Sequence, residues 1–125
     1  MRILHLVLIG KWYDMIARGE KTEEYRAITP YWCNRLIGLC GLNRWKQDFY
    51  EMDFLKDKFP EIWLNALKEC MQIEQTKFYK AICFHRGYTN TTMSFEYESL
   101  DIDKGKEEWG APEEPVFIIK LGKRL

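Results

Sequence analysis

Hydrophobic and polar positions change their period several times along the chain. Residues 3–9, ILHLVLI, form a compact aliphatic run bounded by Gly10 and predict an interior β-strand. Over residues 11–18, Trp12, Met15 and Ile16 recur at helical spacing and Gly19 offers a stop, so a short helix is predicted there. Residues 20–26, EKTEEYR, are almost all polar and read as a nearly extended run. Thr29-Pro30 places an N-cap before proline at the first helical position and predicts a short helix to about Leu36, with Gly38 as its stop. Trp45, Phe49, Met52, Leu55 and Phe59 then recur at three- and four-residue steps. Pro60 breaks that pattern and opens a second helix whose apolar stripe is Ile62, Trp63, Ala66, Leu67, Cys70 and Met71. Residues 43–75 therefore predict a helical hairpin. Residues 77–85 and 91–98 alternate with period two and predict strands. Asp101 to Gly110 reads as a polar loop, and Pro115 precedes a final strand, VFIIKL.

An early strand, short helices, a helical hairpin and three late strands predict an α+β fold with a mixed or antiparallel sheet. The first strand is expected to pair with later ones and to help close a barrel. A length of 125 residues suits one domain, 1–125, with 43–75 as an inserted segment.

Composition narrows the function classes. Nineteen Lys and Arg balance nineteen Asp and Glu, which argues against broad adhesion to duplex DNA. The balance is uneven along the chain. Residues 1–40 carry six basic and four acidic side chains, residues 41–75 five and seven, and residues 76–125 eight of each. The mildly basic N-terminal part leaves room for one small mixed-charge pocket. An aromatic fraction of 15% excludes disorder as a global description. Cys33, Cys40, Cys70 and Cys83 form no C-x-x-C pair and are read as reduced, buried thiols of a cytoplasmic protein. No metal site and no cofactor are expected, and His5 and His85 are read as structural. The N-terminal apolar run is too short and too interrupted for a signal peptide, and no run approaches a membrane span.

The densest polar segment is Gly19-Glu20-Lys21-Thr22-Glu23-Glu24-Tyr25-Arg26, flanked by Trp12, Tyr13, Tyr31 and Trp32. Glu24 and Arg26, two residues apart in an extended run, share one face, and Lys21 in the preceding turn can converge on them. Arg26 offers a planar fork of donors suited to phosphate or carboxylate, and Lys21 a compact cation. Glu24 can accept from the exocyclic amine of a splayed-out base, and aromatic rings such as Trp32 can stack on its face. The plainer alternative is a salt-bridge network that fixes the turn. Trp12, Trp45 and Trp63 lie on apolar helical stripes and are read as packing residues.

Residues 11–26, in outline K-W-x-x-x-I-x-x-G-x-K-x-x-E-x-R, resemble the signature of the ASCH domain family, small β-barrels of the PUA-like superfamily. Glu108-Trp109-Gly110 followed by Phe117-Ile118-Ile119-Lys120-Leu121-Gly122 is similar to the closing segment of bacterial and phage members. The hairpin then looks like a lineage-specific insertion. The resemblance implies a barrel with a cleft for RNA or a nucleotide, with Lys21, Glu24 and Arg26 pointing into it, Gly19 making the turn, and Thr22 and Trp32 beside it. It also implies an alternative, since some small relatives are amidohydrolases acting on N4-acylated cytidines and others have been credited with ribonuclease activity. In the hydrolases a threonine working with the lysine stands where this chain has Glu24. Under that alternative the catalytic candidates are Lys21, Glu24 and, from a later strand, Glu96. A third reading makes the hairpin a protein-interaction surface.

Overall fold

A computed structural model of the protein describes residues 2–37, 57–73 and 79–125. The chain divides into two compact units, Met1–Arg26 with Tyr79–Leu125, and Ala27–Phe78.

The first unit is built on a five-stranded mixed sheet that curls into a half-barrel. Its strands are β1 (Ile3–Leu8), β2 (Glu23–Arg26), β3 (Ala81–Arg86), β4 (Thr92–Asp103) and β5 (Val116–Arg124), with helix α1 (Gly10–Ala17) between the first two. The strand order is β1-β3-β4-β5-β2. β1 runs parallel to β3, and every other pairing is antiparallel. Together with the helices this is the α+β class that the segregated pattern predicts.

Two expectations change. β1 is an end strand, not an interior one, and its burial alternates strictly. Leu4, Leu6 and Leu8 face the core, while Ile3 and Val7 are 43% and 48% exposed and His5 is exposed beside them. An aliphatic residue on an outward face carries no penalty large enough to break a strand, so a mostly apolar run conceals a one-sided strand. β4 is the second change. Asp101–Asp103 do not begin a loop. They pair with Ile118, Phe117 and Val116, and Ile102 between the two aspartates is fully buried. Register shifts on either side of Tyr97 bend this long strand and supply curl to the sheet. The strand expected at 77–85 runs over Ala81–Arg86.

β5 lies between β4 and β2, and its first four residues, Val116 to Ile119, are all buried. That requires cover on both faces of the sheet. Phe117 and Ile119 join the main core. Val116 and Ile118 form a second cluster with Tyr25 and Ala111, against which Trp109 packs from a 3-10 turn at Glu107–Trp109.

The second unit holds α2 (Pro30–Ile37) and α3 (Pro60–Ile73). Thr29 caps α2: its hydroxyl accepts from the Trp32 amide at 3.2 Å, and its carbonyl accepts from the Cys33 amide at 2.8 Å. On α3, Trp63 and Leu67, one turn apart, are buried, whereas Ile62 is exposed despite its place in the expected stripe. The first helix of the expected hairpin falls mainly on residues 43–56, outside the described residues. No helix among the described residues is long and apolar enough to cross a membrane.

Candidate functional site

The site begins where α1 ends. The Gly19 amide donates to Ile16 O and the Glu20 amide to Met15 O, the paired bonds of a Schellman stop. That stop needs a left-handed residue, and Gly19 supplies it at φ 80°. The Lys21 amide also reaches back to Met15 O at 3.2 Å, so the chain reverses tightly and enters β2 with Lys21 already turned inward.

Lys21 and Glu24 are the two buried charged residues among those described, 1% and 4% exposed. Lys21 Nζ donates to Glu24 Oε1 at 2.7 Å. The same oxygen accepts the Tyr25 amide at 3.0 Å, and Glu24 Oε2 meets Arg26 Nη1 at 3.1 Å. A carboxylate has about four lone-pair sites, and three are used here, leaving one on Oε2. The ammonium of Lys21 also lies 4.9 Å from the Tyr25 ring centre and 5.3 Å from that of Trp12. A charge pair this deep is tolerated because each member is both paired and hydrogen-bonded.

Arg26 extends this network to the other end of the sheet. Its Nη1 donates to Tyr25 O at 2.7 Å and its Nη2 reaches Val7 O at 3.4 Å. β1 and β2 are the two end strands, so Arg26 spans the seam where the barrel does not close through backbone pairing. A pocket of about 350 Å³ occupies that seam. Val7, Leu8 and Ile9 line one side and Glu24, Tyr25 and Arg26 the other, with Trp12, Trp109 and Gly110 completing it. Lys11 lies 4.6 Å from the Trp12 ring centre, and Lys106 4.1 Å from that of Trp109. Both lysines are exposed. Gly110 adopts φ 92°, and a Cβ there would stand 2.7 Å from the Trp12 indole, so only glycine lets the two tryptophan segments approach.

Tyr25 anchors the floor from the opposite face of β2. Its hydroxyl donates to Glu23 Oε1 and accepts the Lys106 amide at 3.0 Å. Burial, reinforced by the Glu23 carboxylate, pushes this hydroxyl well above the usual tyrosine range.

The structure thus brings Gly19, Lys21, Glu24 and Arg26 together, but at different depths. Glu24 and Arg26 line the pocket, whereas Lys21 lies sealed behind Glu24 and does not. The Thr22 side chain is exposed, and its carbonyl accepts from the Leu121 amide. Trp32 belongs to the second unit, where it meets Tyr31 edge-to-face on α2. Glu96 is exposed on β4, and its carboxylate accepts from the Lys123 amide at 3.4 Å; it neither bonds to the Lys21–Glu24–Arg26 network nor lines the pocket. Trp12, read as core, is half-buried and walls the pocket. Trp109, Gly110 and the Val7–Ile9 backbone were not singled out as site residues from the residue pattern. The Trp-Gly pair after a polar loop was the available signal.

A second cluster was also missed. His5, Cys83 and His85 have ligand-capable atoms that all lie within 4.8 Å of one another. His5 is exposed, not buried as expected, and Cys83 is only half-buried. Neither Cys33 nor Cys83 is in a disulfide.

No family model, no curated protein and no solved structure matches the chain.

Proposed function

We propose that this chain is a PUA-like domain of the ASCH kind that holds one nucleotide of a single-stranded RNA in the seam pocket. The observation that carries this reading is the composition of that pocket. Two indoles wall it, a partly satisfied carboxylate and an arginine form its floor, and a lysine stands over each indole. Its volume is at the small end of ligand pockets, roughly 300–1,000 Å³. The remaining lone pair of Glu24 Oε2 accepts from an exocyclic base amine. An indole offers a stacking face, and Arg26, Lys11 and Lys106 supply positive charge for the flanking phosphates. The Val7, Leu8 and Ile9 segment that lines the pocket can read the remaining base edge through its backbone.

The geometry favours binding over amide hydrolysis. A nucleophile or general base must reach the substrate, and Lys21 is enclosed and neutralised by Glu24 at 2.7 Å. Cys33 and Cys83, neither of them in a disulfide, suit the cytoplasmic setting that belongs to the same proposal.

Fluorescence anisotropy with short labelled single-stranded RNAs, with free nucleotides as competitors, tests the reading. Trp109→Ala is expected to weaken binding by about 1–3 kcal/mol, the cost of a lost base stack. The log–log salt slope is expected to be shallow, about −0.7 per phosphate for two or three phosphates. Undiminished affinity in Trp109→Ala, or no binding by wild type, overturns it. Turnover of N4-acetylcytidine by wild type would replace it with the hydrolase reading.

A further inference from the structure

We infer that His5, Cys83 and His85 form a binding site for a borderline-soft d10 metal ion, Zn(II), on the outward face of β1 and β3. The pairing of these parallel strands creates the site. His5 stands in register with Cys83, and His85 follows two residues later on the same face of β3. The opposite face carries Leu4, Leu6, Ile82 and Phe84 into the core, so both backbones are held rigidly from beneath.

The donor atoms are already gathered. His5 Nδ1 and His85 Nε2 are 3.0 Å apart, and Cys83 Sγ is 3.8 Å from the same His85 nitrogen. A tetrahedral zinc with bonds of about 2.0–2.3 Å has ligand–ligand edges of about 3.3–3.6 Å. Adjustments of a few tenths of an ångström at these two edges, with a modest swing of His5 or Cys83, therefore suffice. The two imidazole rings are tilted by 44°, with their centres 5.3 Å apart.

The donor set selects the ion class. Two imidazoles and one thiolate suit zinc, whereas calcium and magnesium take oxygen donors. The exposure of His5 gives the ion an entry path, and three protein ligands leave a fourth position for water or a substrate. Binding balances simply. Zn(II) accepts lone pairs from two neutral imidazoles and from Cys83, the thiol S–H bond breaks, and one proton leaves to solvent. The imidazole pair, hydrogen-bonded in the apo protein, shifts the tautomer of one ring so that both nitrogens face the metal.

The test is titration of the reduced protein with Co(II) followed by Zn(II). The expected result is a 1:1 complex with a near-ultraviolet thiolate-to-cobalt band and visible bands of a tetrahedral site, both erased by Zn(II). Cys83→Ser is expected to lose the thiolate band. His85→Ala is expected to weaken zinc binding by at least about tenfold, because even outer-shell losses cost roughly 10–100-fold. Retention of the thiolate band in Cys83→Ser, or absence of a tetrahedral spectrum in wild type, overturns the inference. A second readout needs no variant. Zn(II) is expected to slow alkylation of Cys83 by iodoacetamide in the wild-type protein, followed by peptide mass spectrometry, and an unchanged rate overturns it equally.

Discussion

The two polar clusters of the first unit sit toward opposite ends of one sheet, one at β2 and the other across β1 and β3, and follow opposite designs. The β2 cluster buries its charges. Lys21 and Glu24 are almost fully enclosed, bonded to each other at 2.7 Å and to a neighbouring amide and guanidinium. The cluster across β1 and β3 gathers ligand-capable side chains that are exposed or half-buried. His5, Cys83 and His85 lie on the face of the sheet opposite Leu4, Leu6, Ile82 and Phe84. Sequence separation differs as sharply. Six residues hold Lys21, Glu24 and Arg26, whereas His5 and His85 are 80 positions apart. A cluster built into the folding core is written locally and carries stability. A cluster displayed on finished strands depends on long-range pairing and is free to serve a ligand.

The largest expected effect breaks the buried cluster. Glu24→Gln leaves the Lys21 ammonium buried without its counter-charge and should cost about 3–5 kcal/mol in urea unfolding. Replacing both partners, Lys21→Met with Glu24→Leu, should recover much of that loss. His5→Ser, on the exposed cluster, should stay within about 0.5 kcal/mol of wild type. Equal destabilisation by Glu24→Gln and His5→Ser would erase the contrast.

An intermediate effect is expected at Gly110. Gly110→Ala forces a side chain into a left-handed backbone at φ 92° and against the Trp12 indole. A loss of about 1–3 kcal/mol follows. Indole fluorescence should also shift as Trp12 and the neighbouring Trp109 are displaced in the pocket wall. Stability and fluorescence both unchanged would show that this close approach does not shape the seam.

The smallest effect is a pH slope. The Tyr25 hydroxyl in the folded state is held above its unfolded value of 10.0 by burial and by Glu23. Above about pH 10 the unfolded chain releases this proton while the folded chain keeps it. Stability from this group is complete below pH 10 and declines as pH rises further. Tyr25→Phe should flatten that alkaline decline in denaturant midpoints measured on both sides of pH 10, relative to wild type. An identical slope in the variant would remove Tyr25 from the account.

Much of this molecule is legible in its residue pattern. The Gly19 stop, the Thr29 cap and the Pro60 start each rest on one residue's backbone chemistry, and all three stand in the structure. The convergence of Lys21 with Glu24 and Arg26 follows from a turn and a period of two. β1 reads as an interior strand because Ile3 and Val7 are aliphatic yet point outward, so the pattern hides its alternation. β4 was cut short because Asp101 and Asp103 look like loop residues, although Ile102 between them is buried on the sheet.

Local spacing determined the helix ends, the α+β class and the identity of the charged cluster, because those depend on dihedral preferences and on neighbours a few residues apart. Tertiary structure alone decided three things. It set the depth of that cluster, sealing Lys21 and leaving Arg26 to bridge the seam to Val7. It brought Trp109 and Gly110 to Trp12 to wall the pocket. It paired β1 with β3 so that His5 meets Cys83. Each joins segments far apart in the chain, and strand register across such distances is chosen by the burial of whole faces rather than by any local pattern.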